Sequence, residues 1–156
     1  MAVRDALAKS DVFQGLSDAH LALIEPLCKP ATFEEGALVL EEDGRGGACF
    51  ILVAGRVDIE IRPPFETKAP QRIATLKPGS LFGEVSLLDG FLRSANARAS
   101  DRSEVLAIDD KGLRALLERE PAIGFRVMKN LARILAERLR DMNMRLRNTL
   151  SEMLYY

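Results

Sequence analysis

A glycine, a carboxylate and an arginine occur close together within residues 81–99. Gly83 and Glu84 precede a short stretch that can form one helical turn, and such a turn presents free backbone N–H groups to an anion. Arg93, nine residues beyond Glu84, can return to the same place and bind a phosphate through its planar guanidinium. A carboxylate beside an anion is unfavourable unless it accepts a hydrogen bond from a nearby hydroxyl, for which a ribose 2′-OH is the obvious candidate. These groups suit a compact ligand with one phosphate charge and one sugar hydroxyl.

The same residues have a simpler interpretation. Glu84 and Arg93 could form a surface ion pair, which is worth about 0 to 1 kcal/mol. An ion pair alone does not explain why Phe82-Gly83-Glu84 and Arg93-Ser94-Ala95 occur together. The sequence therefore favours ligand binding over the ion pair.

The elements that must position this segment are predicted to be mostly strands. Between residues 31 and 108, short runs rich in Val, Ile and Phe alternate with Gly and Pro, a pattern typical of an antiparallel sandwich, roll or barrel. Residues 56–61 alternate apolar and charged side chains, so one face of this strand is expected to be solvated. The predicted strands are 37–40, 49–53, 56–61, 72–76 and 104–108.

Helices are predicted on both sides of the strands. Residues 3–8 form a short helix, and Ser17 is the expected N-cap of the next one. Asp109 can cap a further helix that extends to residue 117, and Pro121 suits the first turn of a much longer helix. Residues 111–147 carry a net charge of about +6 and the remainder about −7, so the C-terminal segment is basic.

The long helix carries a heptad seam. Its members follow a 4-3-4-3 spacing, which predicts a homodimer through this face. The alternative is an amphipathic helix that packs only against its own domain, but about 30 residues of helix span about 45 Å, longer than such a domain is wide. The seam consists of Met128, Ala132, Leu135, Leu139, Met142, Leu146, Thr149 and Met153.

The ordered set of motifs resembles the cyclic nucleotide-binding domain family, which includes catabolite activators, kinase regulatory subunits and cyclic nucleotide-gated channels. Phe82-Gly83-Glu84, Leu87-Leu88 and Arg93-Ser94-Ala95 resemble its phosphate-binding cassette. Residues 50–57 resemble a strand-turn-strand closed by Gly55, and Pro121 begins the long helix. The resemblance implies an α+β fold, an eight-stranded antiparallel β-roll of the jelly-roll type flanked by N-terminal helices and a long C-terminal dimerisation helix.

The resemblance also implies roles for individual residues. Glu84 would hold the ribose 2′-OH and Gly83 would allow a close backbone approach. Arg93 would pair with the cyclic phosphate, and Ser94 would add a donor to it. Val85 and Ser86 would contribute backbone N–H groups from the short helix. Arg138, a basic residue of the long helix, could contact the purine. The alternative for Arg138 is a solvated residue on a basic helix face. Leu92, where the family commonly has Pro, and Asn96-Ala97 depart from the family pattern and bear on the pocket floor.

Composition excludes several other functions. With 47% hydrophobic residues and a net charge of −1, the chain is neither disordered nor a nucleic-acid-coating protein. It has no apolar run of about 20 residues and no signal peptide, so a cytoplasmic location is expected. Cys28, Cys49 and His20 are too few for a zinc site, and the two cysteines are expected to pack as small hydrophobes. No catalytic set is visible, so we expect neither an enzyme nor a catalytic cofactor.

We therefore expect a cytoplasmic, bacterial sensor of cyclic nucleotides, with cAMP favoured over cGMP because Ser94 resembles the cAMP-type position. Residues 1–120 would form the ligand-binding β-roll with its N-terminal helices, and residues 121–156 the capping and dimerisation helix. Ligand binding would reposition this helix, and a downstream protein partner would bind the altered dimer surface. Specific DNA binding is not expected, since no helix-turn-helix follows residue 156. The alternative is a β-roll interaction module with a vestigial pocket that binds no ligand.

Overall fold

The computed structural model describes residues 2–41, 46–63, 69–89 and 95–155, without the side chains of Val85, Ser86 and Asp89. Its helices are α1 (Val3–Lys9), α2 (Asp18–Ile24), α3 (Glu84–Asp89), α4 (Asp110–Arg119) and α5 (Pro121–Leu154), and a 3₁₀ turn (Glu25–Leu27) follows α2. Its strands are β1 (Cys28–Phe33), β2 (Leu38–Leu40), β3 (Ala48–Ala54), β4 (Val57–Ile61), β5 (Gln71–Leu76), β6 (Leu81–Phe82), β7 (Asn96–Ala99) and β8 (Ser103–Asp109).

The eight strands form two four-stranded sheets. The first sheet has the order β1-β8-β3-β6 and the second the order β2-β7-β4-β5. Each pairing is antiparallel. The antiparallel β-roll with flanking helices that the resemblance implied is therefore confirmed.

The first sheet is covered on both faces. Along β3, Cys49 and Ile51 pack into a cluster with the helices, whereas Leu52 packs into a second cluster between the sheets. Phe50 stacks on Phe82 with 5.4 Å between ring centroids. This double burial explains why residues 49–53 read as a continuous apolar run rather than as an alternating one.

The predicted helix starts are confirmed by their cap geometry. The Ser17 hydroxyl accepts a hydrogen bond from the His20 backbone N–H at 3.2 Å, at the start of α2. The Asp109 carboxylate accepts from the Gly112 N–H at 2.7 Å, at the start of α4. Pro121 opens α5, which runs for 34 residues or about 51 Å.

Gly55 closes the turn between β3 and β4, as the resemblance implied. Its φ is +91°, in the left-handed region that favours glycine. A Cβ at this position would lie 2.5 Å from the Arg102 carbonyl oxygen and 2.6 Å from the Ser103 hydroxyl oxygen. Both the backbone conformation and the close approach of the β7–β8 connection therefore require glycine.

The charged face of β4 is more covered than its alternating pattern predicts. Asp58 and Glu60 have side chains that are only 15% and 16% exposed. Arg72 on β5 lies 3.9 Å from Asp58, and Arg98 on β7 lies 3.3 Å from Glu60. Of the face that was expected to be solvated, Arg56 is exposed, whereas the two carboxylates are largely covered and lie beside arginines of the neighbouring strands.

Helix α5 contacts the body along its first 18 residues, as far as Arg138. Its buried apolar side chains end at Ile134, which is 7% exposed. Buried Asn130 donates hydrogen bonds to the carbonyls of Val12 and Gln14 at 3.0 and 2.8 Å, and so ties α5 to the α1–α2 connection. From residue 139 onward every described residue of α5 is exposed, so its distal half projects beyond the body.

Candidate functional site

The candidate site begins where β6 leads into α3. Gly83 has a φ of +76°, a conformation that glycine adopts without steric cost. The following residue, Glu84, is the first residue of α3 and is 5% exposed. Leu87 of the same helix is also 5% exposed and packs into the helical core cluster. The turn at Gly83 and the packing of Leu87 together hold the Glu84 carboxylate inside the molecule.

Arg138 of α5 contacts the Glu84 carboxylate directly. Its Nη1 donates to Glu84 Oε1, and its Nη2 donates to the backbone carbonyl of Leu81. The Arg138 side chain is 34% exposed and that of Glu84 only 7%, so the pair is partly shielded from water. A guanidinium at this place compensates a carboxylate that would otherwise be costly to bury.

The structure therefore brings together three of the predicted site residues: Gly83, Glu84 and Arg138. Val85 and Ser86 lie in the first turn of α3, where the prediction assigns only their backbone N–H groups. Arg93 and Ser94 lie outside the described residues. Among the described residues, the ion-pair partner of Glu84 is Arg138, 54 residues away in the sequence.

A second arginine in contact with α3 was not predicted. Nη2 of Arg114, on α4, donates to the carbonyl oxygen of Leu87 at 2.6 Å. In the sequence, Arg114 is one of ten basic residues between positions 111 and 147, and nothing distinguishes it from a solvated one. Asn130 was also missed, although a polar residue within the buried stripe formed by Val127, Leu131 and Ile134 could have signalled its role.

The cysteines behave as packing residues. Cys49 is fully buried and Cys28 is half-buried. Burial, together with the nearby Glu25 carboxylate, raises the pKa of the Cys28 thiol to about 11, so this thiol stays protonated near neutral pH.

Among the described residues, no three His, Cys, Asp or Glu side chains are grouped so that they could hold a metal ion. The same residues include no helix with the length and apolar character that a bilayer crossing requires.

The fold and the site define a class of protein: a β-roll domain in which a glycine–glutamate turn and a short helix face a long C-terminal helix. The sequence model described as "Cyclic nucleotide-binding domain" matches residues 30–120, more than half of the chain. The chain therefore belongs to the cyclic nucleotide-binding domain family.

Individual relatives agree with this assignment. The chain is 27% identical over 97% of its length to a CRP-like cAMP-activated global transcriptional regulator of Mycobacterium tuberculosis, 63% of which is covered. It is 32% identical over 88% of its length to the cyclic AMP receptor protein of Thermus thermophilus, 61% of which is covered. The chain thus spans about three-fifths of the length of these curated relatives.

Solved structures show the same fold. The catabolite activator protein of Thermus thermophilus superposes with a TM-score of 0.73, covering 88% of this chain and 62% of that one at 32% identity. A cyclic nucleotide-binding domain from Methylobacillus flagellatus superposes with a TM-score of 0.81, covering 95% of this chain and 82% of that one. The latter is 24% identical in sequence, so it supports the fold alone.

The contact between Glu84 and Arg138 is expected to stabilise the ligand-free protein. In a double-mutant cycle of Glu84→Gln and Arg138→Met, we expect a coupling of about 1 to 3 kcal/mol in the free energy of unfolding, measured with urea. The matched control is the pair of Glu34 and Arg102, whose side chains are 77% and 66% exposed and which should couple by about 0.5 kcal/mol or less. Equal coupling in the two pairs would contradict a role for Arg138 in holding Glu84.

Proposed function

We propose that this chain is a cyclic nucleotide sensor whose ligand is cAMP rather than cGMP. The observation that carries the proposal is the family match over residues 30–120, which includes Gly83 and the buried carboxylate of Glu84. The preference for cAMP is supported by the printed names of the Mycobacterium and Thermus relatives, both of which refer to cAMP. The small Ser94, at the position where a threonine often accompanies cGMP binding in the family, supports the same preference.

In the proposed site, charged and polar groups of the protein pair with the phosphate and the ribose hydroxyl of the ligand. Arg93 pairs with the single negative charge of the cyclic phosphate, and Ser94 adds a hydroxyl or backbone donor. Glu84 accepts a hydrogen bond from the ribose 2′-OH, next to the close backbone approach at Gly83. The backbone N–H groups of the first turn of α3 complete the phosphate contacts, through Val85 and Ser86. We propose no catalytic step and no bound small molecule other than the cyclic nucleotide.

Arg138 has a proposed role beside the purine. Its guanidinium reaches the Glu84 carboxylate from α5, which supports a position at the ribose side of the pocket. A guanidinium has five N–H donors in one plane, so it can keep its bond to Glu84 and present its face or a free N–H to the base. This arrangement would make α5 the cap of the ligand.

We propose that the signal leaves through α5. Residues 1–120 would bind the nucleotide. Residues 121–156 would change position when Glu84 binds the ribose and Arg138 contacts the base. The contact of Arg138 with Glu84 supports this coupling, because it links the long helix directly to the residue assigned to the ribose. A ligand shifts such an equilibrium only through different contacts in the two positions of the helix, and these residues supply them.

The exposed seam of α5 supports the proposed homodimer. Leu139, Met142 and Leu146 are 59%, 54% and 57% exposed in the single chain. Met128, Ala132 and Leu135 continue the same heptad spacing toward the body, and Leu135 is partly buried there. A second copy would cover this row by knobs-into-holes packing.

A downstream protein would then bind the dimer surface. We place this sensor in the bacterial cytoplasm, without specific DNA binding by the chain itself.

The dimer is tested by sedimentation equilibrium. The unmodified chain should have about twice its monomer mass of 17.2 kDa at micromolar concentration. Leu139→Glu places a charge in the seam and should shift the mass to that of the monomer, because burying two unpaired carboxylates is costly. Glu137→Ala, on the same helix turn but outside the seam, is the matched control and should stay dimeric. A monomeric unmodified chain would overturn the proposed dimer.

Nucleotide binding is tested by calorimetric titration of the unmodified chain. We expect saturable binding of cAMP, weaker binding of cGMP, and still weaker binding of adenosine 5′-monophosphate, whose open phosphate carries a different charge and shape. Thermal unfolding should move to higher temperature with cAMP, since a ligand that binds only the folded state stabilises it. No saturable binding below about 1 mM, with dimers still formed, would overturn the proposal and favour the vestigial-pocket interaction module.

A further inference from the structure

Helix α3 is held from two directions by arginines of the C-terminal helices. At its first residue, Arg138 of α5 donates to the Glu84 side chain. Near its other end, Arg114 of α4 donates to the Leu87 carbonyl at 2.6 Å. The last four carbonyls of a helix have no partner within it, and in a six-residue helix the Leu87 carbonyl is one of these. Arg114 therefore satisfies an acceptor that α3 itself cannot satisfy, through a charge-assisted hydrogen bond.

The two helices that supply these arginines are closely joined. A Cβ at Gly124 of α5 would lie 2.4 Å from the Leu117 carbonyl oxygen of α4, so the helices approach as closely as glycine allows. Leu113 and Leu116 of α4 pack in the same core cluster as Ile123 of α5. A displacement of α3 that pulls on Arg114 therefore acts on α4 and, through this joint, on α5.

We propose that Arg114 is a positioning residue for the ligand site: it sets the position of α3 and couples that position to α4 and α5. This inference rests on the proposed function, because α3 is the helix that would contact the phosphate. The bond is made to a backbone carbonyl, so it depends on where α3 lies and not on the side chains that α3 carries. Leu87 packs beneath the helix while Arg114 holds its carbonyl, and together they fix the last turn.

The first test follows α3 in the ligand-free protein. The chain has no tryptophan, so Leu88→Trp, at a position that is 45% exposed on α3, introduces a single fluorescent reporter. Adding Arg114→Met should lower the anisotropy of this reporter because the last turn of α3 is released. Arg114→Lys, which keeps a charged donor, should restore part of it. Arg119→Met removes an exposed arginine from the same helix and should leave the anisotropy unchanged. Equal anisotropy in the Arg114→Met and Arg119→Met proteins would overturn the proposal.

The second test separates coupling from simple stabilisation. Amide hydrogen exchange along α5 is measured with and without saturating cAMP in otherwise unmodified chains carrying Arg114→Met or Arg119→Met. We expect cAMP to change exchange along α5 in the Arg119→Met control, and at least half of that change to be lost in Arg114→Met, with affinity for cAMP reduced about three- to tenfold. A full change along α5 in Arg114→Met would contradict coupling through this residue.

The two tests also separate this inference from the proposed function. If the unmodified chain binds no cyclic nucleotide, the proposed function fails, and the reporter on α3 still decides whether Arg114 sets the position of that helix. If cAMP binds and the reporter does not distinguish Arg114→Met from Arg119→Met, the proposed function stands and the role of Arg114 is wrong.

Discussion

The dissociation constant for cAMP is expected to rise at least about thirtyfold when Arg93 is replaced by alanine. The proposed partner of Arg93 is the cyclic phosphate, which carries a full negative charge. Truncating one member of a buried, hydrogen-bonded charge pair costs about 2 to 5 kcal/mol, because the other charge is left without compensation. Each 1.4 kcal/mol is tenfold in affinity, so the loss is measured readily by calorimetric titration.

Two further variants show whether the effect belongs to the guanidinium. Arg93→Lys keeps the charge and loses the planar fork, so its affinity should lie between those of the unmodified chain and Arg93→Ala. Arg102→Ala removes an arginine that is 66% exposed and paired with Glu34, and it should bind cAMP normally. The assignment of Arg93 to the phosphate is wrong if Arg93→Ala binds cAMP as tightly as Arg102→Ala does.

The largest change in selectivity is expected at Glu84. If its carboxylate accepts a hydrogen bond from the ribose 2′-OH, the unmodified chain should bind cAMP about ten- to a hundredfold more tightly than 2′-deoxy-cAMP, since a hydrogen bond to a charged group is worth about 1.5 to 3 kcal/mol. In Glu84→Ala the two nucleotides should bind about equally. Glu84→Gln, which keeps an uncharged acceptor, should retain part of the preference.

The ratio of the two affinities is the informative quantity here. Glu84→Ala also leaves Arg138 without its carboxylate partner. We expect that change to weaken the binding of both nucleotides by the same factor. Glu34→Ala, on an exposed carboxylate, serves as the control and should keep the full preference for the 2′-hydroxyl. A ratio that stays at its original value in Glu84→Ala would assign the hydroxyl to a different residue.

Much of the fold could be predicted because its signals are local. Ser17 and Asp109 are caps that act within three residues, and Pro121 marks the start of α5 by its fixed φ alone. Strand β3 was predicted from its composition, because a run buried on both faces contains only apolar side chains.

Strands β1, β6 and β7 were missed for physical reasons. Strand β7 begins with Asn96 and Ala97, which are poor strand formers, and its pairing with β2 and β4 is not visible in a local window. Strand β1 contains Lys29 and Pro30, which argue against a central strand, but it lies at the edge of its sheet, where a missing N–H is tolerated. Strand β6 has only two residues, too few for a periodic pattern. Its pairing with β3 is a tertiary property that no local window contains.

The candidate site divides in the same way. Gly83 and Glu84 are adjacent in sequence, so their pattern was visible. The partners that hold them were not, because Arg138 lies 54 residues from Glu84 and Arg114 lies 27 residues from Leu87. The charges on α4 and α5 look alike in the sequence, and only the packing of the helices against α3 distinguishes Arg114 and Arg138, which bond to residues of this region, from the other arginines.

The most direct test of the account is a crystal structure of the chain with saturating cAMP. We predict one nucleotide per chain beside α3, with its ribose 2′ oxygen within about 3.2 Å of a Glu84 carboxylate oxygen and its phosphate within the same distance of the Arg93 guanidinium. A nucleotide bound elsewhere on the β-roll, or no bound nucleotide beside α3 at saturating concentration, would contradict it.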